Sequence, residues 1–342
     1  MPSPASIRHA PTLFTDAAYL DALETSGCVS PAWGWTPSHL SSGASRLPCY
    51  EKAHSWGEFV FDFELARLWQ RRGLAYYPKL VSCVPFTPVP GPRLLADDES
   101  SRLSLARTLR ERALDYSSAH ILYLGADERE LLVADGWTPR AQLRYVWHAR
   151  GETRFDEFLA RLDSKRRKNI KAERRKLDGI HIEWRPGASF SAAEWRRVHA
   201  LYASTYAIRG QQPYLNLDCL QRWAAHYGER MPFCVAYRDD SLVAMAFFFQ
   251  DRDTLYGRHW GADDQYNGLH FELCYYQGIE RCLAQGLMHF DAGVQGEHKR
   301  ARGFTTELAH SVHWFNDAEL RSAITDAFAH ESAVLATHVD TQ

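Results

Sequence analysis

The chain reads as an α/β protein of mixed sheets, arranged as two halves with a shared order of elements. Three observations predict this. Its 342 residues exceed one ordinary domain. Apolar residues make up 45% and charged residues 24%, the proportions of a folded chain with a sizeable core. Strand-like and helix-like segments alternate along the length, and strands joined by helical crossovers characterise α/β folds. The two halves are set at 1–155 and 156–342.

In the first half, AAYLDALETSG reads as a short helix after a polar lead. Residues 31–53 are rich in Pro, Ser and Gly and read as a loop. FDFELARLWQRRG (61–73) has helical spacing and stops at Gly73, a C-cap residue. YYPKLVSCVPFTPVPGPRLL (76–95) begins as an apolar strand. Pro85, Pro88, Pro90 and Pro92 then break it, so only its start can lie inside a sheet. SRLSLARTLRERALDY is an amphipathic helix and SAHILYLG a strand. DERELLVADG is a short helix with Asp127 as its N-cap, and QLRYVWH is a strand.

The second half repeats the order. FDEFLARLDSKRRKNIKAERRKLDG (155–179) is one long helical pattern, HIEWRPG a strand and SAAEWRRVHALYASTYAIRG a helix. FCVAYRDD and SLVAMAFFFQDRDTLYGRHWGAD are strands that turn at Asp239 and Asp240. LHFELCYYQGIERCLAQG is a helix, MHFDAGV a strand and AHSVHWF a closing strand. The shared order is what a diverged duplication leaves behind.

Formal net charge is −2, so no global field draws the chain to nucleic acid or membrane. Any such partner must meet a local patch. The seven cysteines (28, 49, 83, 219, 234, 274, 282) have no C-x-x-C spacing. An odd, scattered set predicts reduced thiols and argues against a disulfide framework or a zinc knuckle. MPSPASIRHAPTLF lacks an apolar leader and no run has the length of a membrane span. The expectation is a cytoplasmic protein without integral membrane association.

Residues 254–304 concentrate chemistry. They gather Arg258, His270, Glu272, Asp291, Glu297, His298 and Lys299 among aromatic residues. HSWGEFVFD (54–62), the 76–95 segment, RKNIKAERRKL (167–177), YGRHWGADDQYNGLHFELCYYQGIE and FDAGVQGEHKRARGF together resemble a bacterial acyltransferase family labelled peptidoglycan biosynthesis/recognition. That family is similar to the Fem-type peptidyltransferases, tandem GNAT folds that use aminoacyl-tRNA to build cell-wall cross-bridges. The match spans roughly residues 25 to 335. It departs between 40 and 48, where a strand hairpin reads as shortened.

The resemblance implies a tandem GNAT-like acyl-CoA N-acyltransferase fold, with the second half carrying most of the active site. It implies transfer of an aminoacyl or acyl group to an amine on a small molecule or peptide. The donor is aminoacyl-tRNA or acyl-CoA, with no tightly bound cofactor and no DNA partner. Two other readings stand beside it: an acyl-CoA-dependent N-acetyltransferase, and a non-catalytic binding protein for a cell-wall precursor or other anionic small molecule. Such a transfer needs a splayed strand pair to hold the donor, a base for the amine proton and donors for the oxyanion. Acyl-CoA further needs bare backbone amides at a helix N-terminus for its pyrophosphate. The second half places Asp263 and Asp264 there, which repel a pyrophosphate. The first half places PVPGPRLLADDES there, where prolines withhold amides and Arg93 is the compensation. Both features argue against ordinary CoA recognition.

Four clusters carry the candidate residues. His270 and Glu272 open a helix, and either serves as general base, while Glu272 also suits the helix dipole. Glu297, His298 and Lys299 follow a strand end. There Glu297 and His298 meet the acceptor amine or leaving group and Lys299 a phosphate or carboxylate, or the three form a charged surface turn. No ligand-spaced set accompanies them, so no metal is expected. His54, Glu58 and Asp62 form a polar wall of an acceptor pocket with Lys79 as an anion contact. Alternatively Asp62 caps the next helix and Glu58 pairs with Lys79. RLDSKRRKNIKAERRK (161–176) holds nine Lys or Arg against two acids. Arg166, Arg167, Lys168, Lys171 and Arg174 either contact tRNA phosphates or form a solvated face. Tyr256 and Arg258 belong to the substrate-contacting set, and Tyr256, Trp260, Tyr275 and Tyr276 can line a cleft.

Overall fold

A computed structural model describes residues 12–263, 266 and 268–339. Helix α1 (Ala17–Thr25) starts where the Asp16 carboxylate accepts from Ala18 N. Strands β1 (Trp35–Pro37), β2 (Leu40–Ser42), β3 (Ser45–Leu47) and β4 (Tyr50–Lys52) occupy the stretch expected to be loop. Pro, Ser and Gly hide them from sequence reading, because they form through pairing of β1 with β4 and β2 with β3. Helix α2 (Phe63–Arg71), strand β5 (Lys79–Ser82), helix α3 (Glu99–Arg112), strand β6 (Ser118–Leu124) and helix α4 (Ala126–Ala134) follow as expected. Gly125, not Asp127, holds the N-cap position of α4, and Asp127 pairs with Arg102 at 3.1 Å.

Strand β7 (Thr138–His148) leads to helices α5 (Phe155–Arg161) and α6 (Ser164–Arg174). One long helix was the expectation. Leu162 is extended instead, and the Asp163 carboxylate accepts from Arg166 N at 2.8 Å, so a new helix is capped there. Strand β8 (His181–Pro186) and helix α7 (Ala192–Ala207) follow, α7 opening with a Ser191/Glu194 capping box. Helix α8 (Leu217–Tyr227) is absent from the sequence reading, although Leu220, Trp223, Ala224 and Tyr227 repeat at helical spacing and are buried. Strands β9 (Pro232–Arg238) and β10 (Ser241–Gln250) turn at Asp239 and Asp240, both with positive φ. Then come strand β11 (Thr254–Ala262) and a helix in three parts. These are α9 (Leu269–Phe271), a π-turn (Glu272–Tyr276) and α10 (Gln277–Gln285). Strand β12 (His289–Asp291), strand β13 (Thr305–Phe315) and helix α11 (Ala318–Ala336) complete the chain.

Two compact units result. The first takes residues up to Gln142 together with Leu308–His338, and the second takes Leu143–Glu307. The boundary set at 155/156 therefore moves into β7. The last strand and helix return to the first unit because β13 pairs with β6 and α11 packs with α2 through Leu65, Trp69, Ile324 and Phe328. Strand order is β1-β4-β5-β6-β13 in the first unit and β7-β12-β11-β10-β9-β8 in the second. Each unit contains one parallel pair, β5/β6 and β11/β12, among antiparallel neighbours. Each parallel pair is matched over only three residues.

The second unit's core stacks Leu273, Ile279 and Leu283 of the three-part helix on Phe248, Leu255 and Phe290. Each such side chain contributes roughly 1.5–3 kcal/mol by leaving water. Two glycines set the layer spacing. A Cβ on Gly261 would lie 1.8 Å from Leu201 O, and one on Gly278 would lie 2.4 Å from Phe290 Cε1. Among the described residues no helix is long and apolar enough to cross a membrane. All seven cysteines are free thiols.

Both units bury histidines. In the first, His120 and His313 share a bond between their Nδ1 atoms at 2.6 Å, and each Nε2 meets a serine, Ser118 or Ser311. Burial holds both well below the ordinary histidine range. In the second, His259 packs on Tyr202 and Phe247 with its Nε2 buried and unbonded, and burial lowers it to about 3. A histidine depressed in the folded state gives stability that is complete above its unfolded value and fades as pH falls through it. His259→Phe should therefore flatten the loss of unfolding free energy between about pH 6 and 4 by one proton, roughly 1.4 kcal/mol per pH unit. Denaturant titrations at several pH values measure this, and an unchanged slope would refute the buried neutral His259.

Candidate active site

The second unit opens between β11 and β12. They pair at Thr254↔His289, Leu255↔Phe290 and Tyr256↔Asp291 and no further. Beyond Tyr256, β11 is held by β10, and the register shifts between Phe247 and Phe248, leaving Arg258 as a bulge residue. After Asp291 the chain turns to β7, with Ala292 N donating to Tyr145 O and Tyr145 N to Gly293 O, each at 3.0 Å. The strands thus part at Tyr256 and Asp291, which is the splay the transfer chemistry calls for. Tyr256 and Arg258 stand on the parting arm. The Asp291 carboxylate accepts from Arg144 at 2.9 Å and from Gly293 N at 2.7 Å, which fixes the turn.

Beside this arm the helix start and the turn after β12 converge. Tyr275 OH and His298 Nε2 are 3.0 Å apart. The His270 ring lies 4.9 Å from Trp260 of β11, 5.5 Å from Tyr275 and 6.2 Å from His298. The π-turn adds a residue per turn and so sets the facing of Tyr275. Burial, reinforced by His298, Arg302 and Lys299, lowers His270 to about 4. Burial and then Arg302 and Lys299 also lower His298. Burial pushes the Tyr275 hydroxyl well above its usual value. At neutral pH both imidazoles are uncharged and the phenol keeps its proton. Glu297 is exposed on the same turn.

Three expected roles change here. Glu272 does not face the histidines as a free base. Its Oε1 accepts from Arg174 and Gln277, each at 2.8 Å, and it is 2% exposed. Burial raises its pKa while Arg174 opposes the rise. Lys299 is not an outward anion contact. It is buried and donates to the carbonyls of Ala292 and Gln295. Burial lowers it to about 8. Arg174 is not available to a nucleic-acid phosphate, since it also pairs with Glu280 at 2.7 Å and stacks on Phe155. Of its companions, Arg167 donates to Leu162 O, Arg166 pairs with Asp163 at 3.2 Å, and Lys168 and Lys171 are exposed.

The cluster in the first unit is internal. Lys79 is held between Glu58 at 2.7 Å and Asp62, and Asp62 also accepts from Tyr77 at 2.8 Å. With its carboxylate so engaged, Asp62 makes no cap bond to α2. Burial raises Glu58 to about 7 against the pull of Lys79. Burial also acts to raise Asp62, but Lys79 outweighs it and the net shift is downward. Lys79 is raised by the two carboxylates despite burial. Lys79 therefore has no free charge for an external anion, and pairing of Glu58 with Lys79 is the arrangement present. His54 packs beside Gly34, and its Nδ1 accepts from Trp56 N at 3.3 Å. A second buried lysine, Lys52, lies 3.5 Å over Trp35 and donates to Gly34 O and Trp56 O at 3.2 Å. Burial lowers it to about 7.

Of the two turns at which a pyrophosphate would be sought, the one in the first unit is occupied. Arg93 is buried, and its guanidinium donates to Leu122 O, Val89 O, Gly91 O and Pro92 O, so it braces the proline loop instead of meeting a phosphate. The backbone amides of Arg93 and Leu94 donate to the buried Glu128 carboxylate at 2.7–3.0 Å. In the second unit Glu173 O lies 3.0 Å from the Cβ position of Gly268, at the start of α9. Asp263 pairs with Arg197 and so is not an isolated repelling charge, and Asp264 lies outside the described residues.

Sequence reading did not single out Arg144, Glu307, His148, Arg302 or Lys52. No local motif marks them, because their partners are distant in sequence. Tyr275 was visible only as a cleft aromatic, and its spacing from His270 did not announce the π-turn. The Lys79 arrangement yields a test. Lys79→Met should destabilise the first unit by about 3–5 kcal/mol, since it strands two buried carboxylates. Adding Glu58→Gln and Asp62→Asn should recover most of that loss in denaturant titrations. A harmless single variant would contradict the pairing.

Comparison with known proteins places this fold. Solved structures share it at low identity. FemX has a TM-score of 0.55 and 10% identity over 92% of this chain and 94% of its own. L-PGS from Bacillus licheniformis has a TM-score of 0.53 and 11% identity over 94% and 98%. A conserved protein of unknown function from Bacteroides thetaiotaomicron has a TM-score of 0.52 and 14% identity over 90% and 95%. The fold is tandem GNAT-like. No curated protein matches the chain in sequence. A family model described as peptidoglycan biosynthesis/recognition matches residues 5–342, and the chain belongs to this FemAB-like family.

Proposed function

We propose that the chain is an N-acyltransferase whose second unit passes an aminoacyl group from an activated ester to an amine. The observation that carries this reading is the neutral His270–Tyr275–His298 group beside the parting strands β11 and β12. The side of β11 from which β12 parts beyond Tyr256 holds the donor, with Arg258 at the bulge beside it. In the tautomer this reading requires, His298 Nε2–H donates to the Tyr275 oxygen and the Nδ1 lone pair is the base. Gly296 keeps space there, since a Cβ would lie 3.1 Å from Nδ1. The amine nitrogen attacks the ester carbonyl carbon and His298 takes its proton. The tetrahedral intermediate then breaks its ester C–O bond, and the departing hydroxyl receives that proton. Amide and free hydroxyl are the products.

An aminoacyl ester is favoured over acyl-CoA by the occupied turn of the first unit. Glu128 takes the amides of Arg93 and Leu94. The Fem-type resemblance and the likeness to FemX point the same way, toward aminoacyl-tRNA and an acceptor of the cell wall. The exposed Lys168 and Lys171 are then the remaining candidates on α6 for RNA phosphates, with Arg166 beside them. The deciding experiment offers the purified protein aminoacyl-tRNA or acyl-CoA together with amine-bearing peptides, and identifies amide products by mass spectrometry. Product only with acyl-CoA would reverse the donor assignment, and no product with either would leave a binding protein.

Two further outcomes are expected. His298→Ala should lower turnover by about 10²-fold, the usual worth of a general base, with an unchanged melting temperature. Wild-type kcat/KM should fall with acid only below about pH 6.5, the unperturbed histidine value, because His298 is depressed, and the variant should lack that limb. Full activity in the variant would remove His298 from the mechanism. CoA should bind more weakly than about 100 μM by calorimetry, whereas a Kd near 1 μM, about −8 kcal/mol, would show that the turns admit a pyrophosphate.

A further inference from the structure

Helices α2 and α11 of the first unit leave a groove of about 390 Å³ between them. Leu65 and Leu68 of α2 and Ala323, Ile324, Ala327 and Phe328 of α11 form its apolar walls. Phe61 and Phe63 also line it, stacked at 5.6 Å and 16°, and Trp56 meets Phe63 edge-on at 6.2 Å. These three rings are 43–46% exposed. Contiguous exposed apolar surface of this kind marks a binding face. The charges that line the groove are nearly all engaged. Lys79 and Tyr77 hold Asp62, and Glu64 pairs with Arg67. Arg140 meets Glu331 through two nitrogens at 2.9 and 3.1 Å and donates to Phe61 O at 3.0 Å. Arg71, the last residue of α2, is exposed, and it is the charged lining residue without an acidic partner among the described residues.

An apolar groove with one open guanidinium selects a ligand of matching form. A space that runs between two helices takes an extended chain, and a single guanidinium engages one carboxylate in a bidentate pair. The volume lies within the ~300–1,000 Å³ of ordinary small-molecule pockets. A bilayer surface would instead call for a surplus of basic residues around the aromatic rings. Here Glu64 balances Arg67, and Asp317 lies 3.4 Å from Arg72. We propose that the groove binds a single-chain amphiphile, a long-chain carboxylate whose chain lies between α2 and α11 and whose head meets Arg71. The site lies wholly in the first unit, and the assignment goes beyond the transfer reading without resting on it.

Dodecanoate is the probe, kept below micelle formation and titrated calorimetrically into the full chain at neutral pH and about 0.15 M salt, where diffuse attraction is screened. Saturable binding to one site is expected. Arg71→Gln should weaken it roughly tenfold or more, about 1.4 kcal/mol. Ala323→Trp, which fills the groove from an exposed position of α11, should weaken it at least as much. Both variants should keep the wild-type melting temperature, since neither side chain is buried. Arg72→Gln, the next residue but outside the groove, should leave binding unchanged. Dodecyltrimethylammonium carries the same chain on the opposite charge and should bind roughly tenfold more weakly or worse. No saturable binding of dodecanoate to the wild type would overturn the proposal. Equal binding of the two head groups, or full binding by Ala323→Trp, would overturn it too. Vesicles of phosphatidylglycerol and phosphatidylcholine test the membrane as a rival source of acyl chains. Sedimentation of the protein with vesicles, in the absence of dodecanoate binding, would assign the aromatic rings to a bilayer and remove the groove as a ligand site. Binding is read here without turnover, so failure of this site and failure of the transfer reading are separable.

Discussion

Two adjacent residues at the end of α6 hold the candidate centre together. Arg174 reaches Glu272 and Glu280, and Glu173 reaches Arg302 at 2.7 Å and the Tyr276 hydroxyl. Arg302 in turn donates to His298 O at 2.9 Å and lies 3.4 Å over the Phe271 ring. Through one turn of helix, the π-turn and the 297–302 segment are tied to a common anchor. Charge-assisted bonds between half-buried partners are stronger than exposed ion pairs and fix direction as well as distance. The positions of Tyr275 and His298 relative to one another depend on this anchor more than on the apolar core beneath them.

This anchoring also explains what was legible in the sequence. The elements with strong periodicity, α2, α3, α7 and β9–β10, fall where their patterns put them. The turn at Asp239–Asp240 follows from its residue types alone. The three-residue strands β1–β4 do not, because pairing and not propensity creates them. The break at Leu162 lay under an unbroken basic helical pattern, and only the Asp163 cap betrays it. At the site, His270, His298 and the β11–β12 splay were readable from residue type and element order. The roles of Glu272, Lys299, Arg93 and Arg174 were not. A charge in sequence does not reveal whether its partner is solvent, a ligand or a carboxylate a hundred residues away, as Glu272 is from Arg174.

Burial then gives these groups their chemistry. Among the described residues the second unit places two lowered histidines and a raised tyrosine within one ring contact of each other. Trp260 and Phe271 pack on His270 and Phe304 on Tyr275, His298 lies at the exposed rim, and Arg302 and Lys299 add positive charge beside the imidazoles. Desolvation and cationic neighbours push histidine in the same direction, toward the neutral form that accepts a proton. The same desolvation keeps the phenol protonated. A base and a hydrogen-bond partner of fixed protonation thus arise from one environment, without an acid in contact.

The occupied turn extends this logic to donor choice. An anion-accepting set of amides is free-energy neutral to folding only if something fills it. Here Glu128 fills the amides of Arg93 and Leu94, and the Arg93 side chain satisfies the carbonyls of the proline loop. A ligand pyrophosphate would have to displace this buried carboxylate from the two amides that hold it. A donor that carries its recognition elements elsewhere meets no such conflict, which is the physical support for the proposed aminoacyl ester.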